Sequence, residues 1–142
     1  MRFAMPLVGV LALTMLTTFA RPADTQENDV KSPRFFELRT YTTHEGKLEA
    51  LHKRFREHTN RLFQKHGMEL VGYWTPTDGP EAANTLIYIL AYESREARDK
   101  AWEAFKADPD WIKAYEESHK DGPLLSKVES KFMDSTNYSP IR

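Results

Sequence analysis

Five histidines and no cysteine bound the chemistry open to this chain. Without a thiol there is no thiol nucleophile, no thiolate metal site, no disulfide and no lipid-bearing cysteine. His52, His58 and His66 fall in one run, yet no two histidines stand three or four residues apart and HExxH is absent. That spacing puts no ligand pair on one helix face, so no preformed metal site is expected. His58 is the most informative of them. Counted at the 3.6-residue period it lies about 60° from the apolar stripe of Phe55 and Leu62, at the border of a pocket above a sheet. There it could act as a base, a haem ligand or a hydrogen-bond donor to a ligand. Bonded to a backbone carbonyl, as boundary histidines commonly are, it would do none of these. His66, next to Gly67, complements the negative end of a helix.

Trp74, Asn84, Tyr88 and Tyr92 complete the set of ligand-pocket candidates with His58; no catalytic residue is singled out. Tyr88 and Tyr92 share a strand face because their spacing is even. Buried tyrosine hydroxyls need partners, which suits a pocket wall and a core edge alike. Asn84 either steadies its own loop or presents its amide to a pocket. Glu37 and Arg39 share the face of the first strand opposite Leu38. They can pair with Lys127, Glu129 or Lys131 of a neighbouring strand, or the arginine can hold an anionic ligand. GxGxxG, GxxxxGK[ST] and GxSxG are all absent, and no cofactor is expected.

The elements that must position these residues follow from periodicity. "FFELRTY", Phe35 to Tyr41, alternates as a strand. Lys47 to His66 switches to helical spacing, with Leu48, Leu51, Phe55, Thr59 and Leu62 as the inner stripe, and Gly67 stops it. "MELVGYWT" is a second strand, "PTDGPEAAN" a turn-rich loop, and Thr85 to Tyr92 a third strand. Ser94 caps a second helix whose inner face is Ala97, Ala101, Trp102 and Phe105. Asp108 and Pro109 begin a further helical turn before Gly122 and Pro123 end it. Ser126 to Asp134 alternates as a last strand. The order β-α-β-β-α-β implies an α+β, ferredoxin-like domain, a four-stranded antiparallel sheet with both helices on one face.

The third strand is dry on both sides. Leu86, Tyr88, Leu90 and Tyr92 fit under the helices, while Ile87, Ile89 and Ala91 emerge on the uncovered face. A second copy packed sheet against sheet is the economical cover, so a homodimer is expected with Ile87 and Ile89 in its interface.

"MRFAMPLVGVLALTMLTTFA", residues 1–20, has the build of a secretory signal peptide, and its apolar core falls short of the roughly 20 residues of a spanning helix. Residues 21–33 then form a flexible linker, 34–134 the domain and 135–142 a C-terminal tail. The expected location is periplasmic or secreted, with no stable membrane insertion after cleavage. Twenty basic residues against 21 acidic ones give a formal charge of −1, without the basic excess of a nucleic-acid binder.

"FFELRTYTTHEGKLEAL", "HGMELVGYWT", "GPEAANTLIYILAYESREAR" and "ADPDWIKAY" resemble, in order and spacing, the signature blocks of the NIPSNAP family. Asn84, Tyr92, Glu93, Ser94 and Arg98, with the Asp108-Pro109-x-Trp111 turn, carry the resemblance most strongly. It implies a dimeric α+β barrel, in a superfamily that includes cofactor-free monooxygenases and haem enzymes with a pocket between sheet and helices. The family itself has no settled activity. The expectation is an exported dimeric domain that binds a small organic ligand or a protein partner. The alternative is a cofactor-independent monooxygenase-like enzyme acting on a small electron-rich substrate in the helix–sheet pocket.

Overall fold

The computed structural model describes residues 34–141. The expected signal peptide and linker therefore lie outside the described residues. Strand β1 (Phe35–Thr43) leads to α1 (Leu48–Arg54), a π-helical stretch (Phe55–Thr59) and α2 (Asn60–Lys65), which wind on as one rod. Strands β2 (Glu69–Trp74) and β3 (Thr85–Tyr92) follow, with a 3₁₀ turn (Pro80–Ala83) in the loop between them. Helices α3 (Arg95–Ala107) and α4 (Pro109–Ser118) and strand β4 (Leu125–Asp134) complete the domain. The sheet is antiparallel throughout, in the order β2-β3-β1-β4.

Local chemistry sets the helix ends. Gly67 adopts φ 78°, and the Met68 N–H returns to the Phe63 carbonyl at 3.0 Å, closing the first rod. The Ser94 hydroxyl accepts from the Ala97 N–H at 3.1 Å to start α3. Asp108 does the same for α4, accepting from the Asp110 N–H at 2.9 Å with Pro109 behind it. The Asp108 carboxylate also receives Lys65 and His66, each at 2.7 Å, and so ties α4 to the end of the first rod.

The π stretch departs from the uniform helical period expected over Lys47 to His66. One extra residue in the turn shifts every position beyond it, and the Thr59 hydroxyl donates to the Arg54 carbonyl at 3.2 Å inside it. The buried arc of the rod consequently runs through Leu51, Arg54, Phe55, Thr59, Leu62 and Phe63. An arginine has been drawn into the apolar face.

Tyr88, fully buried, sits at the centre of the core. Its ring lies 5.2 Å from Tyr41, 5.3 Å from Phe55, 5.4 Å from Tyr73 and 6.1 Å from Phe63. Each such ring contributes roughly 1.5–3 kcal/mol through burial. As expected, Leu86, Tyr88, Leu90 and Tyr92 are buried beneath the helices, while Ile87 and Ile89 are only half-buried on the opposite face. That face is not bare. Phe36 and Ala91 are buried there, and Ser135, Ser139 and Ile141 of the C-terminal segment border a hollow of about 250 Å³ with Phe36, Val71 and Ile89. Strand β4, at the edge, is exposed along nearly its whole length.

Candidate functional site

The helix-facing side of β1 carries two charges into the interior. Glu37 is fully buried. Its Oε1 accepts from Arg39 Nη1 at 2.6 Å and Arg98 Nη2 at 2.8 Å. Its Oε2 accepts from the Tyr92 hydroxyl at 3.0 Å, Arg98 Nε at 3.0 Å and the Trp102 indole at 3.1 Å. Burial alone would raise its pKa, but the bonds from Arg98 and the charge of Arg39 override this and hold it at about 2. Arg39 also lies 4.3 Å above the Trp102 ring. This carboxylate has every lone pair engaged. It is ionised, immobile and unfit as a general base.

The partners expected for Glu37 and Arg39 are not those found. The register sets Lys131 opposite Leu38, Glu129 opposite Thr40 and Lys127 opposite Thr42, so all three point to the other face. Phe132 stands opposite Glu37 and Ser130 opposite Arg39. Helix α3, not β4, supplies the counter-charge.

A second buried charge has no such closure. Arg54 is 4% exposed, and no carboxylate among the described residues pairs with it. Its Nη1 donates to the Ser118 hydroxyl at 3.2 Å, while its Nε is buried without an acceptor. The guanidinium lies 5.1 Å from the Trp111 ring and 5.8 Å from the Tyr115 ring. Desolvation pushes its pKa down, and only tyrosines oppose that. The Tyr73 hydroxyl is buried without a partner as well, and burial raises the pKa values of both Tyr73 and Tyr88. Above Arg54 a groove of about 510 Å³ opens between the first rod and α4, with Ala50, Lys53, His58, Ala114 and Ser118 among its walls.

The five pocket candidates are not brought together. Tyr92 belongs to the Glu37 cluster and Tyr88 to the aromatic centre. Trp74 points to the other face: it pairs with Ile87, is 51% exposed, and lies over Gly72, where a Cβ would meet its ring at 2.6 Å. Asn84 borders that same face with Thr40, Ile87 and Lys127. Its side-chain oxygen accepts from the Thr85 hydroxyl at 2.8 Å and its carbonyl from the Thr43 N–H at 2.8 Å, a loop-steadying role. His58 lines the outer groove beside Arg54 and not the sheet side of the rod, since the π stretch has turned it past the buried arc. Arg54 itself was missed. The available signal was an arginine directly preceding Phe55, at the shoulder of the apolar stripe. Among the described residues no group of three or more His, Asp or Glu could hold a metal ion, and no helix is long and apolar enough to cross a membrane.

A four-stranded antiparallel sheet with its helices on one face gives an α+β domain of the dimeric-barrel type. The NIPSNAP family model matches residues 36–140, and the chain belongs to the NIPSNAP family. The crystal structure of a NIPSNAP family protein of unknown function from Agrobacterium tumefaciens is similar at 28% identity and TM-score 0.68, over 79% of this chain and 96% of that one. An uncharacterised NIPSNAP domain protein from Burkholderia xenovorans matches at 25% identity and TM-score 0.64, over 75% and 98%. The cofactor-independent oxygenase SnoaB from Streptomyces nogalater shares the fold at 14% identity and TM-score 0.51, over 76% and 98%. No curated protein matches the chain.

Proposed function

We propose that this NIPSNAP domain is an exported homodimer that binds a small organic ligand without transforming it. One observation carries the reading: Arg54 Nε and the Tyr73 hydroxyl are buried in the helical half with no partner among the described residues. Unpaired buried polar groups cost about 1–3 kcal/mol each and persist where a ligand has use for them. Export rests on the leader-like residues 1–20. Dimerisation rests on the apolar outer face around Ile87, Ile89 and the exposed Trp74. The oxygenase alternative has the SnoaB fold behind it, but the base assigned to it, His58, stands apart from Tyr88 and Tyr92.

A native mass spectrum of protein purified from its own host tests this reading. The expected species is a dimer with a reproducible added mass, converted to monomer or aggregate by Ile87→Lys. A bare monomer would refute both parts, and release of the added mass as a chemically altered product would favour the enzyme.

A further inference from the structure

We infer that the ligand is a small carboxylate, that it enters by the groove between the first rod and α4, and that Arg54 is the group that takes it. The inference rests on the ligand-binding reading above and names its chemistry. The molecule contains its own template. Arg98 holds Glu37 through the side edge of its guanidinium, Nε to one carboxylate oxygen at 3.0 Å and Nη2 to the other at 2.8 Å. That two-bond fork fits a carboxylate in geometry and charge. Arg54 commits only Nη1, to Ser118, so its equivalent edge of Nε and Nη2 has no acceptor among the described residues.

The surroundings limit which anion can reach the arginine. The groove lies within the size range of ligand pockets, and Ala50 and Ala114 leave it wide beside the arginine. Lys53 adds a second positive charge to the lining, while Glu57, Glu117 and Asp121 stand on the same walls. With three acids against two basic groups the lining repels every anion, and one carrying several negative charges the most, so a single carboxylate is preferred to a polyphosphate. Because Nε is covered, two-point capture requires the guanidinium to turn towards the groove. The Ser118 hydroxyl, which Nη1 now holds, is the contact that such a turn releases.

The arginine Nε–H signals in a ¹⁵N NMR spectrum of the purified protein read this directly, with the Arg98 signal as an internal control already paired to Glu37. The Arg54 signal is assigned by its loss in Arg54→Lys, which keeps the charge and removes the fork. Titration with benzoate is expected to move the Arg54 signal saturably and leave Arg98 in place. Arg54→Lys is expected to weaken benzoate binding at least about tenfold. An Arg54 signal unmoved by millimolar benzoate, an equal response to benzyl alcohol, or tighter binding of inorganic phosphate would each overturn the assignment. A bound mass that survives Arg54→Met in the native spectrum would overturn it too, while leaving the ligand-binding reading intact.

Discussion

Arg98 and Arg54 project from different helices into the same half of the molecule, and their surroundings differ in one respect. Arg98 meets a carboxylate delivered by β1, together with the Tyr92 hydroxyl and the Trp102 indole, so charge and hydrogen bonds close within the chain. Arg54 is the more deeply buried of the two and meets one hydroxyl and two aromatic faces. A buried ion pair with all its bonds made holds a fold in one arrangement. A buried cation without a counter-charge opposes folding, and its desolvation goes uncompensated until something binds. The Glu37 cluster is therefore architecture, and under the proposal above Arg54 is where the fold gives up stability for recognition.

Removing the closed side of this contrast should have the largest effect. Glu37→Gln leaves Arg39 and Arg98 facing a neutral amide in a buried site, and a loss of about 3–5 kcal/mol is expected in urea unfolding. A loss below about 1 kcal/mol would mean that the cluster is not the anchor described here. Acid probes the same group. Its folded pKa of about 2 lies below its ordinary value of 4.5, so the stability it contributes is complete above pH 4.5 and drains away as the pH falls towards 2. Glu37→Gln should lack that part of the acid slope, and an unchanged slope would assign it to other carboxylates.

Asp108 lies between the two extremes. Its carboxylate caps α4 and receives Lys65 and His66, bonds that hold its pKa well below the ordinary carboxylate range. Asp108→Ala should lower the thermal midpoint by less than Glu37→Gln does, mostly through the lost cap. A thermal melt that did not move would show α4 to be positioned by Phe105 and Trp111 packing alone, whose rings are 4.4 Å apart.

The contrast between the two arginines was only half visible in the sequence. Period-two alternation gave the faces of β1 and β3 correctly, and the dry strand announced two packed surfaces. The same alternation put Glu37 and Arg39 on one side of β1 but left the choice of neighbour unsettled. Strand β4 offered Lys127, Glu129 and Lys131 on one face and Val128, Ser130 and Phe132 on the other. Val128 and Phe132 were the signal that the helix-facing set was the apolar one, and the register bears this out. Arg98 belongs to a pattern recognisable by spacing, though its contact with Glu37 spans 61 positions and no local rule predicts it. Arg54 was hidden for a different reason. A helical wheel assumes one pitch, and the π stretch from Phe55 to Thr59 breaks it directly after Arg54 and turns His58 out. Trp74 and Asn84 were placed in the right elements, but Trp74 pairs with Ile87 and so belongs to the face opposite Tyr88.

The smallest expected change in stability is also the most telling. Urea unfolding of Arg54→Met alongside the parent protein, both stripped of ligand, tests whether the lone guanidinium is kept for recognition. Methionine fills much of the same volume without a charge to desolvate, so a stability equal to the parent's, or higher by less than about 1 kcal/mol, is the predicted result. A midpoint lowered by about 3 kcal/mol, as when a closed ion pair is broken, would contradict it and make Arg54 a structural residue like Arg98.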